Sequence, residues 1–288
     1  SAILSAKFRI SSDGPLSTYL GFDITRQIEA KIVELSMEKY IERMYKRFGM
    51  VPKPSIRTPM AEGTFAALAD AEEADQQFQD DFLYREKIGC IIYLMICMRP
   101  DIAFAITVLA GYCNRVSRIA AAGVTHLLHF IYNTKHLTLR LGGDNTLITG
   151  FSDSDFAGCR ETRRTTGCHF VYFGCGPIEW SSFKFVLTCL STCDGEFVSK
   201  LAAAKGILWL RTLLKELGIE RIITKYSSML WGDNQAANAM AANPVISKLN
   251  KHIATKYSFT RILTMANVIL NGYINTLENV ADIGTKPL

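Results

Sequence analysis

The stretch I-T-G-F-S-D-S-D-F-A-G, residues 148–158, decides how the rest of the chain is read. It opens as an alternating strand, with Leu147, Thr149, Phe151 and Asp153 pointing one way and Ile148, Gly150 and Ser152 the other. At Asp153 a carboxylate arrives on a face that should still be apolar, and Asp155 shares that face if the strand continues. Two acids side by side cost free energy unless a cation, a proton or water compensates. A solvated strand end or turn is one reading of the pair, and a cation site is the other.

Composition sets the frame around this stretch. The chain has 288 residues, 49% of them hydrophobic, enough to bury a core as one large domain or two ordinary ones. Apolar runs such as 102–110 are too short to span a bilayer, and residues 1–10 carry no signal-peptide block, so neither a membrane nor a secretory route is expected. Position 1 is not Met and the opening reads as the inside of an element, so a piece of a longer polyprotein is expected. A net charge of +5 permits a polyanionic partner without demanding one. The eight cysteines include no C-x-x-C and no Cys/His cluster at zinc spacing, which suits free thiols of a reducing compartment.

Residues 19–24 and 32–36 read as a short hairpin, followed by a helix that Ser36 caps and that runs to Phe48-Gly49. The acidic segment 62–81 reads as an exposed connection. Within it, Phe78-Gln79-Asp80-Asp81 copies the aromatic-x-Asp-Asp pattern of reverse transcriptase active sites but lacks flanking apolar strands, and is rejected. Residues 84–114 predict two packed helices broken at Arg99-Pro100-Asp101, with Asp101 capping the second. Residues 120–134 predict another helix. His126, His129 and His136 in its region find no third ligand type in register and are read as ordinary side chains.

After Gly142-Gly143-Asp144 the pattern changes. Strands are expected at 147–153, 169–173, 178–182 and 185–190, then a long helix stopped by Gly218. A strand at 229–233, helices at 235–242 and 249–265, a strand at 268–274 and a terminal helical turn follow. This order makes an α/β domain with a mixed sheet, and divides the chain into 1–145 and 146–288. Four acids fall at element ends: Asp153, Glu196 in the first turn of the long helix, Asp233, and Asp282 before Ile283-Gly284-Thr285-Lys286. Taken singly, each also reads as a cap or a dipole partner.

Together they resemble something specific. The series S-D-S-D-F-A-G (152–158), E-F-V-S (196–199), W-G-D-N-Q-A-A (231–237) and E-N-V-A-D-I-G-T-K-P-L (278–288) resembles the ribonuclease H domain of copia-type LTR retrotransposon Pol polyproteins. R-R-T-T-G (163–167), L-W-L (208–210), N-P-V (243–245) and K-H-I (251–253) follow in that family's order. Upstream, Y-L-G-F-D-I (19–24), M-E-K-Y-I (37–41), R-F-G-M (47–50), R-T-P-M (57–60) and M-R-P-D-I-A-F-A (98–105) resemble the end of its reverse transcriptase. That part would comprise a primer-grip-like strand at Leu20 and Gly21, a thumb and a connection.

The resemblance implies a ribonuclease H-like mixed five-stranded sheet with helices on both faces, preceded by a smaller, mostly helical thumb and connection region with a short N-terminal hairpin. It implies a metal-dependent endonuclease that hydrolyses the RNA strand of RNA–DNA hybrids during reverse transcription. Asp153, Glu196, Asp233 and Asp282 would be the catalytic acids, holding two Mg²⁺ (Mn²⁺ as an alternative) about 4 Å apart. Asp155 lies outside that set. Arg163, Arg164, Asn234, Gln235, Lys251 and His252 are the expected nucleic-acid contacts. The implied partners are the hybrid and an upstream polymerase half or a second polyprotein copy. The implied location is intracellular, in a cytoplasmic virus-like particle or the nucleus.

Departures from the family accompany the matches. The polymerase's own acids are absent, so the chain alone should not polymerise DNA. T-C-D-G-E-F (192–197) replaces the usual S-T-E-A-E-Y, placing Gly195 in a helix's first turn at a cost of up to about 1 kcal/mol. Lys200 takes a usually apolar position, and Thr125, His126, His129 and Tyr132 replace the usual basic residues. These changes keep open an alternative, a catalytically silent nucleic-acid-binding remnant.

Overall fold

The computed structural model describes residues 14–74, 78, 82–158, 162–186, 189, 191–219, 226–242 and 254–287. Strands β1 (Thr18–Tyr19), β2 (Phe22–Gln27) and β3 (Ile32–Ser36) form the expected hairpin region. A fourth strand, β4 (Leu139–Gly142), was not expected from the sequence. It pairs antiparallel with β3, so the hairpin is the start of a four-stranded sheet. Four alternating residues carry too little periodicity to announce a strand, and its partner lies about a hundred residues upstream.

Between β3 and β4 run four main helices: α1 (Glu38–Arg47), α2 (Tyr84–Cys97), α3 (Ala103–Ala110) and α4 (Arg118–Asn133). Their apolar faces meet in one core built on Ile41, Ile91, Ile106, Val124, Leu127 and Ile131. Ser117 starts α4 by accepting a hydrogen bond from the Ala120 amide at 3.0 Å. Asp101 does not cap α3. It makes a two-pronged pair with Arg99 at 2.8 and 2.7 Å, and Arg99 also reaches Thr134. The acidic connection is not wholly exposed either, since Leu68 is buried in the core.

The second sheet has five strands in the order β7-β6-β5-β8-β9. They are β5 (Ile148–Asp155), β6 (Thr166–Phe173), β7 (Gly176–Lys184), β8 (Ser228–Gly232) and β9 (Ile269–Tyr273). Strands β5, β6 and β7 pair antiparallel, whereas β5–β8 and β8–β9 are parallel. This is a mixed five-stranded sheet, as the family resemblance implied. Residues 178–182 fall within β7, but the separate strand expected at 185–190 is not formed at its described residues. Strand β6 begins at Thr166, so beyond Lys184 the chain has a single ladder bond left to make, from the Phe185 amide to the Thr165 carbonyl at 3.0 Å.

The faces of this sheet are covered differently. Helix α5 (Thr192–Glu216) lies on the face carrying Gly150, Val171 and Leu230, with α6 (Gln235–Ala242) and α7 (Ala254–Met265) beside it. Gly150 and Gly206 permit the close approach: added Cβ atoms would come within 2.9 Å of Ile207 and 1.9 Å of Glu179. Helix α5 ends as predicted, with Gly218 at positive φ and the Ile219 amide bonded to the Leu214 carbonyl. Phe151, Cys168 and Phe170 face the opposite way and pack under the C-terminal 3₁₀ segment Val280–Gly284. The edge strand β7 is covered by the helical half, where Trp180 Nε1 donates to the Met95 carbonyl at 3.0 Å and Thr107 Oγ1 to that of Ser182 at 3.1 Å.

Candidate metal centre

Strands β5 and β8 run parallel with Phe151 opposite Trp231, so the residues two steps on, Asp153 and Asp233, emerge at the same sheet end. Glu196 arrives from the other direction. Ser191 caps α5 by accepting from the Asp194 amide at 3.1 Å, and the helix's first turn then lies against the end of β5. Gly195 permits that approach, because a Cβ there would sit 2.9 Å from Ser154 Oγ and 3.2 Å from Thr165. The glycine expected to be a local weakness is therefore the residue this contact requires.

Carboxylate oxygens of Asp153, Glu196 and Asp233 lie within 4.8 Å of one another. A hydroxyl serves each acid. Thr285 Oγ1 donates to Asp153 Oδ2 at 2.5 Å, Ser154 Oγ to Glu196 Oε1 at 2.9 Å, and Thr276 Oγ1 to Asp233 Oδ2 at 2.8 Å. The Ser154 amide adds a second bond to Glu196 at 3.1 Å. The sequence reading missed these three hydroxyls. Ser154 and Thr285 lie inside the quoted motifs, but the pairings of Thr276 and Thr285 span 43 and 132 residues.

Burial and mutual repulsion show in the electrostatics. Burial, aided by the charge of Asp153, pushes Glu196 up to about 8 against the opposing bonds from Ser154. Burial also raises Asp153 above the usual carboxylate range, with Asp233 and Asp282 adding to the effect and Thr285 opposing it. Lys200, one turn beyond Glu196, is brought down to about 8 by burial while Glu196 and Asp233 pull the other way. Three converging hard oxygen donors, two of them buried, fit a divalent cation of the Mg²⁺ or Mn²⁺ type.

The other expected site residues are placed as follows. Asp282 stands outside the three-acid group, close enough to raise Asp153, and is paired with Lys286. Asp155 is half-buried at the end of β5, on the rim. Arg163 and Arg164 are exposed in the β5–β6 loop, at the acid end of the sheet. Asn234 is occupied as a cap, its Oδ1 accepting from the Ala237 amide at 2.9 Å, and Gln235 is exposed beside it. Lys251 and His252 fall outside the described residues. Leu20 and Gly21 form the exposed turn between β1 and β2, both at positive φ, with Tyr93 Oη donating to the Leu20 carbonyl at 2.6 Å. His129 is a core side chain bonded to Tyr45, and His126 meets the Thr58 carbonyl, so neither joins a metal group.

No protein-family model matches the chain. It is 28% identical over 285 residues to the retrovirus-related Pol polyprotein from transposon TNT 1-94 of Nicotiana tabacum, covering 98% of this chain and 21% of that one. Against the Pol polyprotein from transposon RE1 of Arabidopsis thaliana it is 30% identical over 290 residues, covering 99% of this chain and 19% of the relative. Among solved structures, LC11-RNase H1 isolated from compost aligns with 48% of this chain and 92% of its own, at 12% identity and a TM-score of 0.37. The chain spans about a fifth of the length of the polyproteins it matches. Over almost its whole length it is a homologue of the retrovirus-related Pol polyproteins of copia-type transposons.

Proposed function

We propose that the second sheet and its helices, residues 146–288, form a metal-dependent ribonuclease H that cleaves the RNA strand of RNA–DNA hybrids. The observation that carries this reading is the convergence of Asp153, Glu196 and Asp233, from two strand ends and a helix, to within 4.8 Å. Such a cluster has no evident structural use, since burying carboxylates together costs stability unless a cation shares the site. The three acids would hold Mg²⁺ or Mn²⁺, with Asp282 at the margin. A divalent cation supplies Lewis acidity at a phosphodiester and lowers the pKa of water.

The chain's own residues do the rest. Thr285, Ser154 and Thr276 each occupy one oxygen of an acid, fixing the direction in which its remaining lone pairs point. Arg163, Arg164 and Gln235, exposed at the same sheet end, would meet phosphates and 2′-hydroxyls rather than bases. Asn234 is better read as a helix cap. The helical half, residues 1–145, would hold the hybrid against this end, with the Leu20-Gly21 turn as an outlying contact. As part of a Pol polyprotein the chain would act intracellularly, beside a polymerase half.

A second reading, a silent nucleic-acid-binding remnant, draws on one observation: a lysine is buried beside the acids. One experiment separates the two readings. The chain is incubated with Mg²⁺ and, in parallel, labelled RNA–DNA hybrid, double-stranded RNA and double-stranded DNA. The proposed function requires cleavage of the RNA strand in the hybrid alone, abolished by chelation. Hybrid binding without cleavage would support the remnant.

A further inference from the structure

Lys200 lies four residues beyond Glu196 on α5, 1% exposed, and its Nζ has no hydrogen-bond partner among the described residues. The ammonium lies against the last residue of β8: a Cβ added to Gly232 would come within 3.2 Å of Nζ and 3.4 Å of Ser152 Oγ. Gly232 immediately precedes Asp233, so the charge is seated under the acid cluster, on its sheet side, and interacts with both Glu196 and Asp233. A buried ammonium with no direct bond is costly, and here the compensation available to it is the field of those carboxylates. On the opposite side Lys286 pairs with Asp282 and interacts with Asp153 and Asp155.

The charge balance has a consequence for the metal. Once a metal ion displaces the proton of Glu196, Asp153, Glu196, Asp233 and Asp282 carry four negative charges, which two divalent ions would neutralise. Lys200 and Lys286 already supply two positive charges, one of them from a position that solvent cannot screen. We propose that Lys200 is a built-in counter-charge that restricts the acid cluster, before nucleic acid binds, to a single divalent ion held weakly. The inference rests on the metal-centre reading above, and changes the two-ion expectation drawn from the family resemblance. Lys200 acts through Glu196 and Asp233, so it is a positioning and charge-setting residue rather than a ligand.

The test is a Mn²⁺ titration of the full chain followed by calorimetry, with free Mn²⁺ counted by electron paramagnetic resonance, for wild type and Lys200→Met. Met matches the stem of Lys and removes the charge. The expected result is one ion per wild-type chain, and in Lys200→Met an affinity at least about tenfold tighter together with a second ion. A circular dichroism spectrum checks the fold; if Lys200→Met loses it, Lys200→Gln, polar but uncharged, enters the same titration. Equal affinity and equal stoichiometry in wild type and variant would overturn the role of Lys200 while leaving the metal centre intact. Absence of Mn²⁺ binding in both would overturn the metal centre, and this inference with it.

Discussion

Thr285 Oγ1 donates a 2.5 Å hydrogen bond to Asp153 Oδ2, joining residues 132 positions apart. Two neighbouring bonds brace the same contact: Asn279 Nδ2 to the Ser152 carbonyl at 3.0 Å and Ser182 Oγ to the Gly284 carbonyl at 2.6 Å. The C-terminal segment is thus stitched across the middle of the sheet, and it fixes the orientation of the first acid. Thr285→Val keeps the shape and removes the donor. The expected loss is about 1–2 kcal/mol in urea unfolding, because Asp153 is left with a buried, unanswered oxygen. Mn²⁺ affinity should fall as well, since an undirected carboxylate is a poorer ligand.

The protonation of Glu196 gives a pH signature. Its folded-state value of about 8 lies above the ordinary one of 4.5, so between those limits the folded chain holds a proton that the unfolded chain has released. Without metal, the contribution of Glu196 to stability is therefore fully present below its ordinary value and is lost as pH rises through that window. Lys200, lowered from 10.5 to about 8, acts with the opposite sign and above that window, restoring stability as pH rises further. Urea unfolding in chelator at pH 5, 6, 7 and 8 should show the decline, and Glu196→Gln should flatten it. An unchanged slope in the variant would show that Glu196 is not the group responsible.

Gly195 makes a prediction opposite to helix propensity. Alanine in an exposed helix would gain up to about 1 kcal/mol over glycine. Here its Cβ would meet Ser154 Oγ at 2.9 Å, the hydroxyl that bonds Glu196. Gly195→Ala should therefore yield no gain in melting temperature and should displace Glu196, seen as weakened Mn²⁺ binding. A stabilised variant with unchanged metal affinity would contradict the close approach.

Much of this arrangement was legible in the chain, and the reasons differ by element. The strand at Ile148–Asp155 and the helix over Thr192–Glu216 carry strong local periodicity, and the acids fall where those patterns end. The convergence of Asp153 with Glu196 and Asp233 was implied by the motif series, yet it depends on a parallel pairing of β5 with β8 that no local pattern encodes. Strand β4 and the three hydroxyl partners were missed for the same reason. Each is defined by a residue far away in sequence. Lys200 and Gly195 were visible as departures. Their meaning needed the neighbours, because a glycine reads as weakness until Ser154 stands against it.

The joint between the halves is testable through Trp180, whose Nε1 donates to the Met95 carbonyl at 3.0 Å. Trp180→Phe removes the donor together with the pyrrole part of the indole, which packs against the core on both sides. The cost should be about 1–3 kcal/mol in urea unfolding, without loss of Mn²⁺ binding, because the side chain bonds to Met95 and to none of the acids. Loss of metal binding would show that the acid cluster depends on how the halves are joined.

Whether Asp153, Glu196 and Asp233 form a working metal centre is decided by Asp233→Asn. The substitution keeps the shape and the acceptor for Thr276 while removing one charge from the cluster. Wild type and variant are compared for cleavage of an RNA–DNA hybrid labelled on the RNA strand, in Mg²⁺ at pH 8. The expected result is cleavage by the wild type and a loss of at least about a hundredfold in the variant, with its fold intact by circular dichroism. Cleavage at equal rates by both chains, or by neither, would mean that the three acids are not a working metal centre.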